Sequence, residues 1–226
     1  MAQMIQFPRP DGKSISGYYV EPDGGGKAPG LVVIQEWWGV NTQIKSVAER
    51  FAAAGYRVLV PDLFRGTTTV DAKEAEHLMN DLNFGDAAGQ DIRGAVTHLK
   101  RNGAKVGING FCMGGALSLL AAANVPEADA VTAWYGYPPL EYLDATKIKA
   151  PLLCHFATED AFFPIAGVDA LEKKLAAAGV KFQIHRYKAQ HAFGNETAID
   201  KEIPIRFNAG AAALAWQRTI DFFARM

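Results

Sequence analysis

Residues 107–115 read Gly-Ile-Asn-Gly-Phe-Cys-Met-Gly-Gly, setting one thiol, that of Cys112, between Gly110 and Gly114. A glycine two positions before and two after a Ser or Cys is the nucleophile-elbow pattern, a strand-to-helix turn that lifts the central side chain clear of the backbone. The turn is so sharp that side chains at the flanking positions would collide. Glycine avoids this, while the central residue holds a strained conformation. A sulfur presented there faces the free N–H groups of a helix start, whose dipole favours the nucleophilic thiolate. The competing reading is a buried, inert cysteine in a glycine-rich turn. Against it, the spacing is not that of a dinucleotide-binding loop, and no Lys-Ser/Thr pair follows as in a P-loop. Cys154 lacks flanking glycines and lies within an apolar run, so core packing is its expected role.

An elbow nucleophile requires an Asp or Glu and then a His further along, each at the C-terminal end of a strand. After the apolar run 152–156 comes Ala157-Thr158-Glu159-Asp160, and after 182–186 comes Lys188-Ala189-Gln190-His191. His191 is the one histidine beyond the last expected strand; His77, His98, His155 and His185 fall in expected helices or strands, where structural or solvent-facing roles are the default. Glu159 and Asp160 compete for the acid position, with Glu159 expected to point to the opposite side of the turn. In such a site the His is general base and then general acid, and the carboxylate fixes its tautomer. The thiolate attacks a carbonyl, giving an acyl-enzyme that water resolves. Two N–H donors must meet the oxyanion. The expected pair is the backbone of Met113, next to the nucleophile, and of Trp37, in the loop Gln35-Glu36-Trp37-Trp38-Gly39.

These residues have to be delivered by a regular frame. Short apolar runs at 31–34, 57–60, 105–108, 130–134, 152–156 and 182–186 read as strands, most of them buried on both faces. Between them lie expected helices at 42–54, 71–81, 87–101, 115–123, 168–178 and 209–224, the first capped by Asn41 and stopped by Gly55. A hairpin ending near residues 18–20 precedes this alternation. The order implies an α/β fold, a mostly parallel sheet with helices on both faces. Right-handed crossovers then bring the loops after the strands to one edge, where ligands bind.

The 226 residues suit one domain, 1–226, and a net charge of −1 without basic blocks argues against a nucleic-acid partner. The longest apolar runs fall well short of the ~20 residues that cross a bilayer, so no membrane partner is expected. Two cysteines without a signal-peptide pattern suit a reducing cytoplasm. Asp, His and Cys never reach the close spacing of a zinc site, and no organic cofactor is implied. The expected partner is a small molecule, met by a monomer or weak homo-oligomer.

With these residues in view, the chain resembles the dienelactone hydrolases (carboxymethylenebutenolidases) over residues 18–223. The marks are Ile34-Gln35-Glu36-Trp37-Trp38-Gly39-Val40-Asn41, Val60-Pro61-Asp62-Leu63-Phe64, Gly110-Phe111-Cys112-Met113-Gly114-Gly115, Trp134-Tyr135-Gly136 and His191-Ala192-Phe193. The resemblance implies an α/β-hydrolase fold with little or no cap, Asp160 as the acid, and hydrolysis of a small ester, lactone or enol-lactone. It also implies a role for Glu36, otherwise readable as an exposed loop carboxylate: contacting the cysteine and taking the thiol proton when substrate arrives.

Dienelactone hydrolases hold a substrate carboxylate with two arginines. One follows the Pro-Asp-Leu-aromatic motif, where Arg65 stands here; the other lies four residues after the histidine, where this chain has Asn195, with Arg206 farther on. Losing one bidentate clamp weakens the expectation of an anionic lactone. Arg65, Trp38, Tyr135 and Phe193 are the expected substrate contacts, although each aromatic would serve equally in the core. A non-catalytic binding protein on this fold, a thioester hydrolase and a cysteine peptidase are the alternatives.

Overall fold

A computed structural model describes residues 2–199 and 203–226. Eight strands form one sheet: β1 (Ala2–Pro8), β2 (Ser14–Val20), β3 (Gly30–Ile34), β4 (Arg57–Pro61), β5 (Val106–Phe111), β6 (Ala130–Trp134), β7 (Leu152–Ala157) and β8 (Phe182–Tyr187). Their order is β1-β2-β4-β3-β5-β6-β7-β8, with β1 and β2 antiparallel and every pairing from β4 to β8 parallel. β3, β4, β5, β6 and β7 are buried at every position, because helices cover both faces. This is the α/β-hydrolase architecture that the strand–helix alternation and the resemblance imply.

The helices follow their local signals. In α1 (Thr42–Ala53) the Asn41 side chain accepts the Ile44 N–H at 3.1 Å, and Ile44, Ala48, Phe51 and Ala52 form the buried stripe. The next are α2 (Ala72–Asp81) and a single turn, α3 (Phe84–Asp86). The uninterrupted helix expected at 87–101 instead opens as a π-helical stretch, Ala87–Ile92, before α4 (Arg93–Leu99). The wider turn carries Asp91 into the interior, where it accepts from Arg9 at 2.8 Å and, on its two oxygens, from the Arg65 Nη2 at 3.1 and 2.8 Å. A carboxylate only 1% exposed is tolerable because two guanidiniums meet it. Helices α5 (Met113–Asn124), α6 (Ile165–Ala177) and α7 (Ala209–Phe223) complete the layers, with α5 starting two residues earlier than expected. No helix among the described residues is long and apolar enough to cross a membrane.

Candidate active site

The elbow forms because β5 runs directly into α5 with Cys112 as the hinge, at φ 55° and ψ −118°. A non-glycine residue there carries roughly 1–3 kcal/mol of backbone strain, sustained only by its surroundings. Those surroundings are close. The Cys112 N–H donates to the Trp134 carbonyl at 3.0 Å, and the Cys112 carbonyl accepts from Gly115 and Ala116 at 2.8 and 3.1 Å. A Cβ on Gly110 would collide with the Gly114 carbonyl, and one on Gly136 with the Cys112 carbonyl.

Three strand ends then converge on the thiol. Past β8, the His191 Nε2 lies 3.1 Å from the Cys112 Sγ, while its Nδ1 lies 2.8 Å from the Oδ2 of Asp160, past β7. The second Asp160 oxygen accepts the N–H groups of Phe162 and Phe163 at 2.8 and 2.9 Å. Glu159 is exposed and Asp160 buried, so the turn separates the two acids as expected. Three rings surround the imidazole: Tyr135 at 5.2 Å, Phe162 at 4.9 Å, and Phe163 stacked at 5.5 Å. Burial works against a charged ring, but the Cys112 sulfur and the Asp160 carboxylate outweigh it and push the His191 pKa up to about 10.

Glu36, past β3, is buried beside this trio. One of its oxygens accepts the Tyr135 hydroxyl at 3.0 Å and the other the Asn195 amide at 2.7 Å. Burial raises its pKa, opposed by the charge of His191 and by those two donors. Asn195 is fixed in orientation, since its carbonyl oxygen accepts from the Thr197 N–H and hydroxyl at 2.9 and 2.7 Å. Sequence reasoning treated Asn195 only as an absent arginine; its amide is a holder of Glu36.

A cavity of about 200 Å³ opens over the sulfur, lined by Glu36, Trp37, Trp38, Met113 and His191 among others. The sequence-expected residues thus divide. Cys112, Asp160, His191, Glu36, Met113, Trp37 and Trp38 come together. Tyr135 and Phe193 do not reach the cavity wall; both are fully buried beneath it, Phe193 packing on Trp134, Tyr135 and Tyr187. Arg65 does not reach it either, because the inward turn at Asp91 captures its guanidinium at 2.8 Å. The wall also takes Phe162, Phe163, Met79 and Ile205, which sequence reasoning passed over. An Asp followed two and three residues later by Phe-Phe signalled the first pair, because an Asp side chain bonds forward to such N–H groups. His155, expected to be structural, is buried between the Tyr187 and Thr219 hydroxyls at 2.9 and 3.0 Å. A wider groove of about 780 Å³ beside the start of α1 is lined by no Cys, Ser or His among the described residues.

An elbow thiol facing an imidazole and a carboxylate, at the carboxyl edge of this sheet, defines the chain as an α/β-hydrolase. The sequence matches the dienelactone hydrolase family over residues 15–226, and the chain belongs to that family, within the carboxylic-ester hydrolases. It is 35% identical to "Protein usf" of Aquifex pyrophilus, over 99% of this chain and 98% of the relative. It is 31% identical, with the same coverage, to the "Putative carboxymethylenebutenolidase" of Aquifex aeolicus. In fold it is similar to a dienelactone hydrolase-like promiscuous phosphotriesterase from metagenomic libraries, with TM-score 0.87, 22% identity and coverage of 100% and 98% of the two chains.

Proposed function

We propose that the chain hydrolyses small esters or lactones through an acyl-cysteine intermediate, with Cys112, His191 and Asp160 as its triad. The observation that carries this reading is the 3.1 Å approach of Sγ to an imidazole whose other nitrogen is held by a buried carboxylate. The Sγ attacks the carbonyl carbon and the C=O electrons move onto oxygen, which meets the N–H groups of Met113 and Trp37. Collapse expels the alkoxide, which takes the proton on His191 Nε2. His191 then deprotonates a water that attacks the thioester, releasing the carboxylic acid and restoring the sulfur. Glu36 is bonded to Tyr135 and Asn195 rather than to the sulfur. That departs from the resemblance, in which it takes the thiol proton.

Acid quenching during turnover of p-nitrophenyl acetate, followed by peptide mass analysis, is expected to find one acetyl group on the peptide carrying Cys112. Steady release of p-nitrophenol with the acyl group on another side chain would overturn the reading.

The ion pair also predicts a pH dependence of stability. The His191 pKa rises from an ordinary 6.5 to about 10 in the folded chain. The resulting stabilisation is complete below the unfolded value and fades as pH rises through the folded one. The Tm advantage of the parent over His191→Gln is therefore expected to shrink between those two values. A gap constant across that window would argue against a charged imidazole.

A further inference from the structure

The cavity over Cys112 says more about the acyl group than the triad does. Its broad walls are Trp37, Trp38, Met79, Phe162, Phe163 and Ile205. Trp37 meets Trp38 edge-on at 5.1 Å and 66°, and Phe162 at 6.2 Å and 69°. A flat aromatic or conjugated group can set its edge or face against such rings, a contact beyond area burial that a saturated ring does not make.

The electrostatics are one-sided. Among the described residues lining the cavity there is no Lys or Arg; the ionisable groups are Glu36, Cys112 and His191. Both His191 nitrogens are engaged, by Asp160 and by the sulfur. Arg65 lies off the cavity with its guanidinium held by Asp91, and the Asn195 amide is committed to Glu36. A carboxylate on the bound acyl group would lose its water, face Glu36 and find no cation except His191, whose two nitrogens Asp160 and the sulfur already hold, a costly arrangement.

We propose that this site takes uncharged, planar acyl groups, aromatic or conjugated, and rejects acyl groups that carry a carboxylate. The proposal rests on the acyl-cysteine reading above and narrows its substrate class. Selection against anions follows from the pairing of Arg65 and Asn195 elsewhere, and selection for planarity from the ring walls.

The test compares three p-nitrophenyl esters with a common leaving group: benzoate, 4-carboxybenzoate and cyclohexanecarboxylate. Rates are divided by each ester's hydroxide-catalysed rate and measured beside Cys112→Ala. Benzoate is expected to exceed 4-carboxybenzoate in kcat/KM by at least about a hundredfold, and cyclohexanecarboxylate by about tenfold. Met79→Lys, which sets an ammonium in the wall from α2, is expected to narrow the first ratio at least about tenfold. Because that readout compares two substrates within one variant, a general loss of activity does not move it. Turnover of 4-carboxybenzoate as fast as benzoate, dependent on Cys112, overturns the proposal while leaving the hydrolase reading intact. Rates unaffected by Cys112→Ala bring down both.

Discussion

Cys112→Ala is expected to lower kcat/KM for p-nitrophenyl acetate by about 10⁴-fold or more, leaving little beyond the contribution of the oxyanion donors. The loss follows from the route rather than from the fold. On the acyl-cysteine route proposed above, the variant has no atom to carry the acyl group, and water is left to attack directly. Alanine tolerates φ 55° no worse than cysteine does, and the removed sulfur is the end of a small side chain only 9% exposed. The variant is thus expected to keep the parent's circular dichroism spectrum while losing activity. A rate equal to the parent's would remove Cys112 from the chemistry.

Gly136→Ala is expected to produce the largest loss of stability, about 3–4 kcal/mol, read as a Tm fall of roughly 10 °C. The new Cβ would land on the Cys112 carbonyl oxygen and within 3.0 Å of the Ala116 nitrogen. No flexible side chain is available to yield there; the obstacle is the backbone of the elbow itself. Two hydrogen bonds from the first turn of α5 pin that carbonyl, so relief must displace the nucleophile or β6. Activity is expected to fall as well, with kcat declining more than KM rises, because the sulfur moves relative to His191. Thermal stability and kcat indistinguishable from the parent's would show that this contact is loose.

How much of this was legible in the sequence depended on how local each signal was. The elbow declares itself because two glycines and a cysteine must occupy fixed positions within one turn. Asp160 and His191 follow because strand ends in a parallel sheet share one edge. The π-helical stretch before α4 was hidden: Ala-Ala-Gly-Gln-Asp-Ile has ordinary helical composition, and only the distant Arg9 and Arg65 explain the wider turn. Arg65 was misplaced for the same reason, since its partner lies 26 residues along the chain. The contact of Asn195 with Glu36 escaped notice because neutral amides advertise no chemistry and the partner lies 159 positions earlier. Tyr135 and Phe193 were ambiguous from the start, as large aromatics suit pocket and interior alike, and burial decided for the interior.

The division of labour at Asp160 has a consequence for anyone reshaping the enzyme. One oxygen holds His191 and the other gathers the loop that hangs two phenyl rings over the mouth. In the mechanism proposed above, reaction and recognition are thereby soldered at a single carboxyl group, and remodelling that loop would disturb proton traffic as well as ligand choice. The opposite bank, contributed by α2, carries no such double duty. Selection for new substrates would find its freedom there.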